Sequence, residues 1–193
     1  MLTIVLIRPG ATDYDKHGRI QGTLDIPLNG AGSAEVSQLI EQLRGRALEL
    51  LYTSDSEPAL ETASKLADGL DIKLKTLDDM QNLDHGLWQG MLVSEIRRKH
   101  PKLYRQWQEQ PDSVCPPQGE MLEEARQRVQ RSLRKLVKRH RDGVIGLVLP
   151  EPLASLARTQ LCQCACGDLW KASDEHGHWE AIEVRPAELA AAR

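Results

Sequence analysis

Phenylalanine is missing altogether, and Trp and Tyr bring the aromatic share to only 4%. So small a supply leaves little to stack on bases, which argues against a nucleic-acid-binding module. Cysteine is sparse too: Cys115, Cys162, Cys164 and Cys166 are too few to staple a chain of 193 residues as a disulfide scaffold. Neither sign of charge dominates. Lys and Arg number 25 against 28 Asp and Glu, a net charge of −3, so no global field draws the chain to nucleic acid or membrane. No apolar run reaches the roughly 18 residues of a membrane span, and Met1–Arg8 is too short for the apolar part of a signal peptide. These absences point to a soluble, cytoplasmic globule of one domain over residues 1–193, able to bury a core without metal or disulfide.

What the chain does have is alternation. Leu2–Arg8 is nearly continuously apolar, as in a strand buried on both faces of a parallel sheet. A polar loop runs from Pro9 to Gly30, and Gly32–Leu43 then carries Val36, Leu39, Ile40 and Leu43 at helical spacing. Leu48–Thr53 reads as a second strand and Ser54–Gly69 as a helix, capped by Ser56 with Pro58 in its first turn. Ile72–Leu77 is a third strand. Residues 80–119 break the rhythm with two short helical stretches, Ser94–His100 and Pro101–Gln108, and the loop Pro111–Gly119; such an insertion is where a lid or pocket wall is usually built.

Glu120–Arg141 is the clearest helix, with Met121, Leu122, Ala125, Val129, Leu133, Leu136 and Val137 in one stripe. Val144–Leu149 is a further buried strand and Pro152–Cys162 a helix. Leu169–Ser173 and Trp179–Val184 bracket a turn at Asp174–Gly177, as in a hairpin, and 185–193 reads as a loose tail. Strands alternating with helices predict an α/β three-layer sandwich, a mostly parallel sheet with helices on both faces.

Ligands of open α/β sheets bind beyond the carboxyl ends of the strands. Here those ends are Arg8-Pro-Gly-Ala-Thr12, Thr53-Ser-Asp-Ser-Glu-Pro58 and Leu149-Pro-Glu-Pro152. Together with Gly18-Arg-Ile-Gln-Gly22, Ala59-Leu-Glu-Thr-Ala63, Asp84-His-Gly-Leu-Trp-Gln-Gly90 and Pro116-Pro-Gln-Gly-Glu120, their order and spacing resemble the histidine phosphatase superfamily, the phosphoglycerate mutase-like clan. The resemblance runs from about Leu2 to Val184. It implies a phosphoglycerate mutase-like fold and an ancestral phosphomonoester hydrolase or mutase activity.

The same resemblance implies that the working residues are gone. The family's first strand ends in Arg-His-Gly, whose His is the phosphorylated nucleophile; this chain has Arg8-Pro9-Gly10. Proline has no lone pair to attack phosphorus. Pro58 stands for the family's second Arg, Pro150 or Glu151 for its second His, Asn82 for its acid, and Asp15 for an Asn that helps hold phosphate. Arg8 and Gly10 remain, with Thr12 and Arg19 around them. Two unit charges ~4 Å apart interact by about 4 kcal/mol at an effective dielectric near 20. Losing cations and gaining Asp15 therefore removes most of a phosphate site's attraction.

Two roles stay open for Arg8: an anion-binding guanidinium, or a structural residue paired with Asp15 or Asp13. Candidate ligand contacts are Arg8, Gly10, Thr12, Asp15, Arg19, Asn82 and His85. Asp15, Glu151 and His17 would be the acid–base set of any altered hydrolase. Trp88 reads as cleft wall or core and His85 as a hydrogen-bonded structural residue. Ser155 lacks the Gly-x-Ser-x-Gly elbow of a serine hydrolase. Cys162-Gln-Cys164-Ala-Cys166, with His176 and His178 downstream, does not match zinc spacing, so no metal and no cofactor are expected; Cys162 falls on the apolar side of a helix end, as a buried thiol would.

Arg126, Arg128, Arg131, Arg134, Lys135, Lys138, Arg139 and Arg141 form a basic run behind Glu120, Glu123 and Glu124, which complements a helix dipole on a solvated face. The resulting expectation is a catalytically inactive pseudophosphatase with a binding, regulatory or scaffolding role, retaining at most a weak anion site at Arg8. The alternatives are a phosphoric-ester hydrolase with altered chemistry, and a partner-binding module acting through Trp107–Cys115 or the basic helix. A small anionic ligand or a protein partner fits this frame; a membrane does not, nucleic acid fits poorly, and a symmetric homodimer is only the default for such proteins.

Overall fold

The computed structural model describes residues 1–164 and 176–184. Strand β1 (Leu2–Ile7) lies inside a five-stranded sheet because every position but Thr3 is apolar and buried. It pairs in parallel with β4 (Gly143–Val148) and antiparallel with β5 (Trp179–Val184). On the far side of β4 lie β2 (Leu50–Thr53) and β3 (Lys73–Thr76), both parallel, giving the order β3-β2-β4-β1-β5. The predicted mostly parallel α/β sandwich is what forms.

The period of two along β1 sorts its side chains between two cores. Leu2, Ile4 and Leu6 meet α6 (Leu122–Arg139) and α7 (Leu153–Cys162), whose Val129, Leu133, Leu136, Ala154 and Ala157 are buried. Val5 and Ile7 face the other way, onto α2 (Gly30–Leu43) and α3 (Glu57–Leu70) through Val36, Leu39, Ala63 and Leu66. Each such Val, Leu or Ile side chain contributes roughly 1.5–3 kcal/mol by leaving water.

A third, smaller core belongs to the insertion. Ile20, Trp88, Ile96, Trp107 and Val114 pack together, with α4 (Val93–Lys99) and α5 (Pro101–Glu109) folded over them. Trp88 and Trp107 lie 5.0 Å apart at ring centroids, tilted by 40°. Trp88 is core.

Several local expectations are corrected. The polar loop after β1 holds a helical turn, α1 (Asp13–His17): Asp15 accepts from the Thr12 amide at 2.7 Å while the Thr12 hydroxyl accepts from the Asp15 amide at 3.3 Å. Ser56 occupies the N-cap position of α3 but does not cap it; its hydroxyl meets that of Ser54 at 3.0 Å. Cys162 is exposed, because the last turn of α7 carries it off the core face. The run on α6 is not all solvated, since Arg128 is buried. Trp179–Val184 is a strand whose partner is β1; the other proposed hairpin arm, Cys166 and the tail at 185–193 lie outside the described residues.

The approach of α2 to the loop after β1 fixes where that loop sits. A Cβ on Gly32 would strike the backbone carbonyl and amide of Ala11, whereas one on Gly30 would meet nothing within 4 Å. Gly32→Ala is therefore expected to destabilise the chain by about 2 kcal/mol through overpacking against rigid backbone, while Gly30→Ala at the same helix end is neutral or slightly stabilising. Urea unfolding of the two variants checks this; equal stabilities would mean that the loop yields.

Candidate functional site

The carboxyl ends of β1, β4 and β2 converge because their registers align Ile7 with Val148 and Val148 with Thr53. The next residue on β1 is Arg8, and its side chain turns inward, only 4% exposed. A guanidinium cannot shed its charge when buried, so it must be met by acceptors. Its Nε donates to Glu151 Oε1 at 2.6 Å and its Nη1 to Glu180 Oε1 at 3.2 Å. Glu180 Oε2 in turn accepts from Arg158 Nε at 3.0 Å. Glu151, itself 6% exposed, accepts the Ser155 amide at 3.2 Å through its other oxygen. Burial pushes the Glu151 carboxyl up, against the pull of Arg8 and Ser155.

Of the two residues at the end of β4, Glu151 is the one whose side chain reaches Arg8. The partner expected for a structural Arg8 was Asp15 or Asp13; the acids found there are Glu151 and Glu180 instead. Asp15 is held by Thr12 in the α1 cap, which turns its carboxylate to its own helix.

The backbone amides after β1 are also taken. In a phosphate-binding loop such N–H groups point at the anion. Here Gly10 N–H donates to Thr62 Oγ1 at 3.1 Å and Ala11 N–H to Glu35 Oε2 at 2.9 Å. Residues 176–178 are laced over the same loop: Gly177 N–H reaches the Pro9 carbonyl at 2.8 Å, and His176 Nδ1 lies 2.8 Å from Glu35 Oε1. Pro58 is buried in the first turn of α3, where proline is tolerated.

The remaining candidates are braces. Arg19 is exposed and its Nη1 donates to the Gly90 carbonyl at 2.6 Å. Asn82 is buried, donating to the Gly22 carbonyl at 3.0 Å and accepting the Leu83 amide at 2.8 Å. Arg128 of α6 closes that corner, with Nη2 on the Asn82 carbonyl at 3.2 Å and Nε on Glu120 at 2.6 Å. His17 is exposed and its Nδ1 lies 2.7 Å from the carbonyl of Asp13. Asp15, Glu151 and His17 are thus each engaged separately, and the contacts of the described residues do not join them into an acid–base set.

His85 departs from its expected hydrogen-bonded role. It is buried with Nδ1 unpartnered, its ring 5.2 Å from that of Trp107. Among the described residues no group of three metal-ligating side chains forms, and no helix is long and apolar enough to cross a membrane.

The profile of the histidine phosphatase superfamily (branch 1) matches residues 4–190. The chain belongs to that superfamily. Phosphoserine phosphatase 1 of Hydrogenobacter thermophilus is 31% identical over 148 residues, which is 77% of this chain and 70% of that protein. The structure of Bacillus stearothermophilus YhfR superposes with a TM-score of 0.84 at 26% identity, covering 95% of this chain and 92% of that one. Mycobacterial glucosyl-3-phosphoglycerate phosphatase Rv2419c, solved in complex with VO3, gives 0.82 at 24% identity over 94% and 90%, a likeness of fold. Other relatives are longer: this chain spans 44% of three mycobacterial proteins that it matches.

Glu180, Arg158 and Glu35 escaped the sequence reading, and Thr62 entered it only within the Ala59–Ala63 segment. Glu180 left a signal, because β5 pairs Val184 with Leu2, Ile182 with Ile4 and Glu180 with Leu6. An acid in register with core-facing residues needs a buried cation, and Arg8 is in reach.

Two measurements test this geometry. Removing one member of a buried ion pair strands the other, at a cost of about 3–5 kcal/mol. Arg8→Met should lose stability on that scale in urea unfolding, and adding Glu151→Leu should recover much of it; additive losses would show that the two side chains do not meet. The second concerns His85, whose pKa burial lowers to about 4, with Asp84 alone opposing. An unfolded histidine protonates near pH 6.5, so the folded chain binds fewer protons between 6.5 and about 4. This histidine's stability contribution is fully present above 6.5 and falls by about 1.4 kcal/mol per unit as pH drops through that window. His85→Leu should flatten the slope; an unchanged slope would place the protonation elsewhere.

Proposed function

We propose that this histidine phosphatase superfamily member is a pseudophosphatase, a fold kept for binding or regulation after its phosphoryl-transfer chemistry was lost. The observation that carries the reading is the occupation of Arg8 by Glu151. The carboxylate sits on the guanidinium where an anionic substrate would have to bind, so a phosphate must displace an internal ion pair and then face Glu151 at close range. Repulsion between two such charges ~4 Å apart is about 4 kcal/mol at an effective dielectric near 20.

Three further features support it. Pro9 offers no nucleophile at the end of β1. The Gly10 and Ala11 amides already have acceptors. Asn82, at the position of the family's acid, is tied into the backbone on both sides of its amide. The weak anion site proposed at Arg8 is therefore one that opens only when Glu151 is neutralised or moved. The altered-hydrolase reading is favoured by nothing in the site, since its three candidate groups are dispersed.

The test is steady-state hydrolysis of an aryl phosphate from acid to mildly alkaline pH, beside the Arg8→Ala/Glu151→Ala double variant, which strands no charge. Turnover equal to that control is expected. A rate that the double variant abolishes would mean a living cleft and would overturn the reading. Orthovanadate gives an independent check: it should leave Tm unchanged, whereas a ligand at 100 times its Kd would add about 2.7 kcal/mol of stability.

A further inference from the structure

The charge of this chain is nearly balanced, but it is not evenly spread. The insertion Val93–Glu109 carries Arg97, Arg98, Lys99, Lys102 and Arg105 beside His100, against Glu95 and Glu109. Each of these cations is exposed. Their neighbours on the same two helices, Val93, Ile96, Leu103 and Trp107, pack down on the insertion's own core with Trp88. Burial of that seam fixes α4 and α5 with the cations turned outward. Among the described residues, the ion pair on this face is Lys99 with Glu95, long at 3.6 Å and between exposed or half-exposed groups, worth well under 1 kcal/mol.

Helix α6, the more basic in sequence, exposes Arg131, Lys135, Lys138 and Arg139 but turns the rest of its charge inward or against acids. Arg128 is buried on Glu120 and on carbonyls of the loop before the insertion. Arg126 is clasped by Asp112 at 2.7 Å and Glu123 at 2.6 Å, and Lys135 lies 3.8 Å from Asp79. Arg134 has Nε and Nη2 buried. Among the described residues, the insertion gathers five exposed cations on two short helices over a buried apolar seam.

We propose that the outer face of α4 and α5 is a docking surface for an acidic polypeptide segment; this names the partner class for the binding role proposed above and rests on that reading. Charge complementarity selects the partner. Three of the five cations are Arg, whose planar fork matches carboxylates. The patch is bounded by exposed Glu109 and Asp112, which would repel a continuous phosphate backbone passing beyond it. It offers no free aromatic platform for bases, since Trp107 is buried under α5 and Tyr104 is half-buried with partners of its own. An interfacial helix would need its apolar side outward, and here that side is inward. At physiological salt the Debye length is about 8 Å, so a local patch acts on a nearby segment although the whole chain is acidic.

The experiment uses the full chain and fluorescence anisotropy with a labelled poly-glutamate peptide, a poly-glutamine analogue, single-stranded RNA and anionic phospholipid vesicles. The Arg97→Glu/Arg98→Glu/Lys102→Glu/Arg105→Glu variant is compared with Arg131→Glu/Lys138→Glu/Arg139→Glu on α6, all exposed positions, with Tm confirming that both fold. Expected is poly-glutamate binding that weakens at least tenfold in high salt and in the α4–α5 variant, persists in the α6 variant, and is absent for poly-glutamine. No binding at low salt, equal loss in both variants, or tighter binding of RNA or vesicles would each overturn the proposal. Aryl phosphate turnover would sink the pseudophosphatase reading and leave this binding result standing, so the two failures are distinguishable.

Discussion

A guanidinium at the end of a central strand has to be paid for in neighbours. Arg8 follows β1 directly into the interior, and its charge cannot be titrated away. Desolvation of such an ion costs several kcal/mol even after relaxation, so the surroundings must return it in hydrogen bonds. They do so from two directions: Glu151 from the end of β4 and Glu180 from β5. The turn into α7 is pinned because Glu151 also takes the Ser155 amide, and the antiparallel edge is pinned because Glu180 also holds Arg158. One cation thus ties together three strands and a helix.

The insertion follows a different logic. Met80 and Leu83 at its start join the core beside α6, and beyond them it builds a third from two tryptophans and aliphatic side chains. Anchoring α4 and α5 this way leaves their other sides to water, and those sides are basic. On α6 the opposite happened: a long helix packed along the sheet drew Arg128 inside, where it bonds the carbonyls of Asp79, Gln81 and Asn82 and so fastens the start of the insertion to the main body. The same residue type serves as surface charge on one helix and as an internal tie on another, and only packing decides which.

That distinction explains how far the sequence could be read. Strands buried on both faces announce themselves by composition, and Leu2–Arg8 and Val144–Leu149 fall within a residue or two of β1 and β4. The stripe on α6 was equally legible, since Val129, Leu133 and Leu136 recur at helical spacing and are buried together. What was not legible depends on contacts far apart in the chain. The pairing of Arg8 with Glu151 spans 143 residues and with Glu180 spans 172, and no local pattern points across such a distance. Nearby Asp15 looked the better partner, yet a capping box satisfied it within its own turn. That Pro9 carries no nucleophile was plain from the residue itself; what surrounds Arg8 was not.

The contacts at this site are physically coupled. A carboxylate at position 151 would repel a phosphate at Arg8, and on the proposed reading the site has no need of that anion. Once no anion comes, an unpaired Arg8 would be a buried cation without a partner, and a carboxylate there becomes favourable. The amides of Gly10 and Ala11 follow the same rule: in the absence of a phosphate they require acceptors, and Thr62 and Glu35 provide them. On the proposed reading, these internal partners stand where a ligand would have to bind. Placing an imidazole at position 9 would not by itself make an anion site, because the guanidinium of Arg8 would still be held by Glu151 and Glu180.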